Sequence, residues 1–554
     1  MYPADLQQTV TNEEYCYNSG MPRTGKKPIL LICAVLFLGA FLVFTIPNAR
    51  ASENPEMVAM FEPDEGVCLP VVSGMITPKG DFVTFLRKFI FYDFYSYGFP
   101  YFGTSALFLF PVQWAGQMQN TGLVMLVLRQ LVSVLPMLLA LLLLVYLHDG
   151  FRTYRSPVLF VALLLIPAVI QNGLWWHPDG LALLLAVLVL LFLWKDQRQF
   201  GWRFFTAAAL CGVLTATKMV GVYFFLAVGL ALIWGFVEKK KPLKRLLLSA
   251  AGFVVIMAVA FIMANPFLLS GWAREGYFST MNLETQELGK GYGLIYEKGL
   301  RAAWPTMRQF YGEAVFLLLV LGVSVWGVWK GEKSYLYALT LAWFIPLTVS
   351  LLTVTHLKYQ YWLPVAVPLI ANLYYLLPEK PGKGEGSKLR VVGRLAVLLI
   401  VVIQLALFAR QDVETLVKQS RRHVDNPRIE FFEKAAATLE PLEHAEMKVY
   451  YDHRLYVPKQ SNWLYNTSYG ILNYPYIEAQ DFDILFLLES RMRDYLNPNA
   501  EGVDPAELEA GRRFYEDALA GKIAGYHQLF RDETAGVFIR VETCRNYLEN
   551  ADCD

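Results

Sequence analysis

Charge is scarce in this sequence: Asp, Glu, Lys and Arg supply 18% of its 554 residues, and hydrophobic types supply 55%. Ordinary soluble domains carry roughly a quarter of their residues as charges, so most of this chain is unsuited to facing water. The few charges nearly cancel, because 49 Lys and Arg against 48 Asp and Glu leave a net of +1. Without a strong basic field there is nothing to hold a phosphate backbone, which excludes nucleic acid as a partner. Cysteine is thin as well. The six cysteines are scattered with no CxxC pair, so no thiolate metal site is encoded. Cys544 and Cys553 are near enough to bond in an oxidising compartment, and two free thiols fit the spacing equally well. Also missing are internal repeats, low-complexity tracts and a small-x-small cleavage pattern after the first apolar run, which ends Ile46-Pro47-Asn48. That run is therefore expected to stay as a membrane helix.

What the chain does have is apolar runs of about 16–25 residues, the length that crosses a hydrocarbon layer of roughly 30 Å. They fall at 28–48, 122–147, 156–174, 181–196, 203–217, 219–237, 246–268, 313–330, 335–355, 359–378 and 393–410. The expected fold is an all-α polytopic membrane bundle of about eleven transmembrane helices. Its short loops alternate in charge: Arg152/Arg155, Lys195/Arg198/Arg203, Lys239–Lys241 and Lys330/Lys333 lie on one side, almost nothing on the other. Basic loops stay cytoplasmic. The tail 1–27, with Arg23, Lys26 and Lys27, is then cytoplasmic, and the loops 49–121 and 269–312 lie outside. Residues 103–116, interrupted by Pro111, are short for a span. With the amphipathic stretch Phe82–Phe94 they read as interfacial helices.

After residue 411 the composition turns soluble. Helical spacing at 428–441 and 505–521, with strand-like runs at Met447–Tyr451 and Asp483–Leu488, predicts a small C-terminal α/β domain over 411–554. Alternation places it outside, although Lys418, Arg421 and Arg422 follow the last span there. The stretch 380–388 reads as a flexible cytoplasmic linker.

Five places concentrate chemistry. Glu62-Pro63-Asp64-Glu65 crowds three carboxylates about 15 residues beyond the first span. Their repulsion should raise at least one pKa, or be relieved by a divalent cation on Glu65 and Glu62. Trp175-Trp176-His177-Pro178-Asp179-Gly180 sets a His and an Asp in a tight outer turn, where an aromatic belt over a Pro-Asp-Gly turn would look the same. Lys218 is a lone cation at the outer junction of two short spans, suited to a phosphate or simply snorkelling. Arg274, in the outer loop opened by Asn265-Pro266-Phe267, and Lys358 and Tyr361, in Thr355-His356-Leu357-Lys358-Tyr359-Gln360-Tyr361, offer polar surface over a membrane cavity.

In this order and sidedness, Pro63-Asp64-Glu65, His177-Pro178-Asp179-Gly180, Thr217-Lys218 and Asn265-Pro266-Phe267 resemble the GT-C glycosyltransferases. The nearest branch is that of the protein O-mannosyltransferases and aminoarabinose transferases (glycosyltransferase family 39 and its bacterial relatives). The resemblance covers residues 28–410 and implies inverting transfer of a sugar from a polyprenyl- or dolichyl-phosphate donor. It implies Asp64 as general base, with Glu65 beside it holding acceptor, donor or metal. His177, Asp179 and Tyr361 would then line the substrate site, and Lys218, Lys358 or Arg274 would stabilise the leaving phosphate. The acceptor, whether lipid, glycan or protein, stays open. The chain lacks the MIR-type insertion of the protein O-mannosyltransferases and their histidine soon after the Asp-Glu pair. A lipid-linked glycan polymerase or ligase, or a transporter, is the competing reading.

Overall fold

The computed structural model describes residues 26–77, 80–355, 357–377, 388–548 and 553. The tail before residue 26, His356 and nearly all of the linker 380–388 lie outside the described residues.

Helix α1 (Lys26–Arg50) shows why the solvent around the bundle is lipid. Leu30, Leu31, Val35, Leu38, Leu42, Val43 and Ile46 are all exposed along it. Leaving one such side chain in water forgoes roughly 1.5–3 kcal/mol, and helix Leu243–Ala264 exposes a similar set, from Leu247 to Met263. Buried at the centre is helix Asp179–Asp196, which packs against the helices Leu135–Asp149, Trp202–Thr217 and Leu363–Ala371. The protein is a multi-pass integral membrane protein.

All eleven predicted segments contain helix, but length alone does not support eleven crossings. Among the described residues six helices are long and apolar enough to span. A seventh is gained if Gly299–Tyr311 and Ala314–Lys330, bent by 84°, count as one. Arg155–Leu164, Trp202–Thr217 and Leu363–Leu376 are shorter apolar helices.

Beyond α1 the chain forms a collar of four helices: α2 (Pro55–Phe61), α3 (Pro63–Ile76), α4 (Phe82–Ile90) and α5 (Phe99–Trp114). On α4, Phe82 and Val83 are exposed although apolar, and Arg87 and Lys88 sit in its last turn. A helix of that kind lies in a membrane interface. Helix α5 starts against Ala216 and Asn265, and by Gly122, eight residues after its end, the chain is back beside Ala49 and Ser52. Those eight residues are folded into turns closed by the Gly116, Gln117 and Asn120 N–H groups, so they fall well short of recrossing a hydrocarbon layer. So α5 stays at the end of the bundle where α1 finishes.

The C-terminal domain is built on a five-stranded mixed sheet. With β1 (Leu294–Ile295) counted first in the chain, its strands are β2 (Met447–Tyr451), β3 (Trp463–Asn466), β4 (Ile484–Leu488), β6 (Tyr526–Arg531) and β7 (Ala535–Arg540). They are ordered β3-β2-β4-β7-β6, parallel on the β3 side and antiparallel on the β7 side. Every residue of β4 is buried, as a central strand covered on both faces requires. Cys544 and Cys553 are joined in a disulfide.

Three contacts seat this domain on the collar and on the loop 269–312. Strand β5 (Glu501–Gly502) pairs with β1 from the loop 269–312, Ile429 packs on Met57 and Met60 of α2, and Tyr456 Oη accepts a 3.1 Å bond from Asn54. Leading into the domain, helix Lys388–Arg421 runs on past the lipid. At its end Arg422 binds Glu62 at 3.1 Å and stacks on Phe61. Of the three basic residues that follow the last span, Arg422 is thus neutralised.

Candidate active site

The site is laid out by the first turn of α3. Pro63 occupies the start of the helix, where its missing N–H costs nothing, and Asp64 and Glu65 follow where the dipole favours acids. Successive residues on a helix point about 100° apart. The two carboxylates therefore diverge, and their surroundings differ completely.

Glu65 turns inward and is fully buried. Its oxygens accept bonds from Arg129 Nε (2.9 Å) and Nη2 (2.5 Å) and from the Trp176 backbone N–H (2.5 Å). Arg129 also donates to Ser52 Oγ at 3.2 Å. It opens a π-helical segment, Arg129–Val134, inside the helix Thr121–Asp149. The wider turn presents Ser133 as well, whose hydroxyl bonds the His177 backbone on both sides. A Cβ on Gly180 would lie 2.4 Å from the Ser133 carbonyl. The glycine of the Pro178-Asp179-Gly180 turn therefore allows this close approach.

The resulting wall is a chain of charges. His177 is held between Asp179, which bonds its Nδ1, and Tyr97, whose hydroxyl lies 2.8 Å from Nε2. Trp175 stacks on the imidazole at 4.1 Å. Burial keeps the His177 pKa below normal against the pull of Asp179. With Nδ1–H donated to Asp179, Nε2 accepts from Tyr97, which fixes the tautomer. The other Asp179 oxygen takes Lys218 Nζ at 2.5 Å, and the ammonium lies 4.9 Å from the centre of the Tyr361 ring.

Asp64 turns outward from this wall with 37% of its side chain exposed. Lys358 Nζ stands 3.7 Å from Oδ2, near enough for attraction and beyond ordinary hydrogen-bond length, and His177 Nε2 stands 4.0 Å away. The Lys358 contact is long, so the Asp64 oxygens remain able to accept a proton. Burial pushes its pKa up, but Lys358, His177 and Lys218 together outweigh that and hold it below the usual carboxylate range. Crowding of the acids is not the governing effect. Glu62 is raised, by burial first and by the Glu65 charge less.

Asp64, His177, Asp179, Lys218, Lys358 and Tyr361 thus converge. Three expectations need correction. The divalent-cation site on Glu65 and Glu62 does not fit, because Arg129 already neutralises one and Arg422 the other. No cluster of three metal-binding side chains exists among the described residues. Nor can Glu65 hold acceptor or donor, since it lies in the protein floor at 0% exposure. Arg274 stands apart: it is exposed and donates to the Leu268 carbonyl at 3.4 Å. Tyr97 escaped the sequence reading, as did the choice of Glu65 as the partner of Arg129. No local pattern marks either, because each acts on a partner at least 60 residues away in the chain.

Beside Lys218, an open groove of about 360 Å³ runs along the lipid-facing side. Thr215 and Met219, which flank the lysine in sequence, line it with Val254, Met257, Phe261 and Met281. The trough is apolar, and Lys218 lies in sequence between two of its lining residues.

The fold is that of the GT-C glycosyltransferases. ArnT from Cupriavidus metallidurans, solved with undecaprenyl phosphate bound, matches over 93% of this chain and 98% of its own, with TM-score 0.53 and 14% identity. The oligosaccharyltransferase AglB from Archaeoglobus fulgidus, solved with an inhibitory peptide and a dolichol-phosphate, matches over 87% of this chain and 72% of its own. Its TM-score is 0.54 at 10% identity. At such identities the likeness is one of fold. No protein-family model matches the chain, and no curated protein does.

Proposed function

We propose that this protein is a membrane glycosyltransferase that moves a sugar from a polyprenyl-phosphate carrier to an acceptor hydroxyl on the non-cytoplasmic side. The observation that carries this reading is Asp64: an ionised, half-exposed carboxylate flanked by Lys358 and the His177–Asp179–Lys218 wall, next to an apolar groove. The groove suits a polyprenyl tail, and the two lysines suit its phosphate. Carrier lipids in ArnT and AglB support the choice of donor. The charge-poor loops support the side.

In the reaction, the acceptor O–H gives its proton to an Asp64 oxygen as the acceptor oxygen bonds the sugar's anomeric carbon. The bond from that carbon to the phosphate oxygen breaks, and its electrons leave on the carrier phosphate. The leaving group needs charge stabilisation rather than a proton, which Lys358 and Lys218 supply. A single displacement inverts the anomeric centre.

The test is single-turnover transfer from radiolabelled polyprenyl-phosphate sugars by detergent-purified protein at saturating donor. Asp64→Asn should fold normally and lose roughly 10²–10⁴-fold in rate. Failure to consume any polyprenyl-phosphate sugar, or an undiminished Asp64→Asn rate, would overturn the proposal.

A further inference from the structure

Tyr97 closes a ring around the charged wall. It sits in the segment between α4 and α5, outside any span. Tyr92 Oη donates to its carbonyl at 3.0 Å, and the Phe99 N–H donates to Asn265 Oδ1 at 2.9 Å. Between them Gly98 presses on the end of helix Trp202–Thr217, where a Cβ would fall 1.6 Å from the Ala216 carbonyl oxygen. Two residues on, Lys218 reaches Asp179, Asp179 holds His177, and His177 Nε2 returns to Tyr97 Oη at 2.8 Å. The collar and the wall are thus joined at one hydroxyl.

That hydroxyl governs what His177 can do. Three charged side chains among the described residues face the imidazole. They are Asp179 from its own turn, Lys218 from the end of helix Trp202–Thr217, and Asp64 from α3, 4.0 Å from Nε2. Glu65, already neutralised by Arg129, takes the neighbouring Trp176 N–H. Burial and the Asp64 charge hold the Tyr97 pKa well above normal, so the phenol meets Nε2 as a donor. A donor on Nε2 favours the neutral ring, because protonation there would take the lone pair that it binds. Were the ring protonated, Nε2–H would itself be the donor, and the anion on that side is Asp64. A carboxylate paired with an imidazolium is a poor base.

Resting on the transferase reading above, we infer that Tyr97 is a positioning residue: its hydroxyl keeps His177 neutral and so leaves the Asp64 carboxylate free for the acceptor's proton. Tyr97 gives up no proton in the reaction; it acts on Asp64 through His177. In Tyr97→Phe the Nε2 lone pair is left buried and unpaired, a cost that protonation from solvent relieves. The His177 pKa should then rise by about one pH unit, the worth of one buried hydrogen bond. Below that pKa the imidazolium occupies Asp64 and transfer slows. Above it the ring is neutral again and the carboxylate is released.

Two measurements test this, and the first needs no sugar donor, so it can fail separately from the transferase reading. Full-length protein carrying nitrogen-15 histidine, in neutral detergent, gives the His177 ring signals by NMR. They are identified among the seven histidines by their loss in His177→Gln. Wild type at neutral pH should show an uncharged ring protonated at Nδ1, and Tyr97→Phe should titrate about one pH unit higher. A wild-type ring that is charged, or protonated at Nε2, overturns the inference without any variant. So does an unmoved or lowered titration in Tyr97→Phe. The second measurement is single-turnover transfer from radiolabelled polyprenyl-phosphate sugars against pH. Tyr97→Phe should lose at least about tenfold below its raised His177 pKa and recover to within about threefold of wild type above it. The double variant Tyr97→Phe with His177→Gln should match His177→Gln alone at every pH. A Tyr97→Phe loss that is equal at every pH, or that persists in the double variant, would leave Tyr97 a packing role only. If wild type transfers no sugar, the transferase reading falls, and the histidine titration still decides whether Tyr97 holds His177 neutral.

Discussion

Glu65 and Arg129, 64 positions apart in sequence, form a fully buried ion pair with contacts of 2.9 and 2.5 Å. The pair ties the collar to a spanning helix directly beneath Asp64. Removing one partner strands the other's charge, at a cost of about 3–5 kcal/mol. Glu65→Gln and Arg129→Met should each lower the unfolding free energy by about that much. The double variant Glu65→Met with Arg129→Met should lose far less than the sum. Unfolding by denaturant in detergent measures all three, and additive losses would show that the pair is not coupled.

Asp64 acts as base only when ionised, so the rate should fall as pH drops through its folded-state pKa and stay flat above it. That pKa lies below the ordinary carboxylate value of about 4 because Lys358, His177 and Lys218 outweigh burial. Lys358→Met removes the strongest of these charges and should move the acid limb to higher pH. Single-turnover rates against pH at saturating donor give the comparison. An unmoved limb would mean that Lys358 does not act on the titrating group.

The apolar groove predicts chain-length dependence. Met257→Trp places a bulky ring in the trough lined by Met219, Phe261 and Met281, well away from the charged wall. Apparent affinity for a long polyprenyl-phosphate sugar should weaken at least about tenfold, while that for a donor with one or two prenyl units should barely change. Competition binding with both donors decides it. Equal losses for the two would place the tail elsewhere.

Sidedness is testable through strand pairing. Because β1 and β5 join in one small sheet, tags near residues 290 and 500 must lie on the same side. Both should be open to impermeant reagents in intact cells, and a tag at Gly384 should be protected. Labelling of the Gly384 tag from outside would reverse the orientation.

The amino-acid sequence by itself determined the membrane bundle, because hydrocarbon thickness dictates how long an apolar run must be, and α1 or Leu243–Ala264 can be nothing else. It also marked Asp64, His177, Asp179, Lys218, Lys358 and Tyr361 individually, since charge at a helix junction is conspicuous against so much apolar sequence. How they associate was decided only in three dimensions. Lys218 meets Asp179 across 39 positions, and Arg422 reaches Glu62 across 360, distances over which no local pattern survives. The tertiary structure also separated Asp64 from Glu65. Adjacent in sequence and chemically alike, they part because one helical step turns Glu65 into the buried floor against Arg129 and leaves Asp64 facing the mouth of the site.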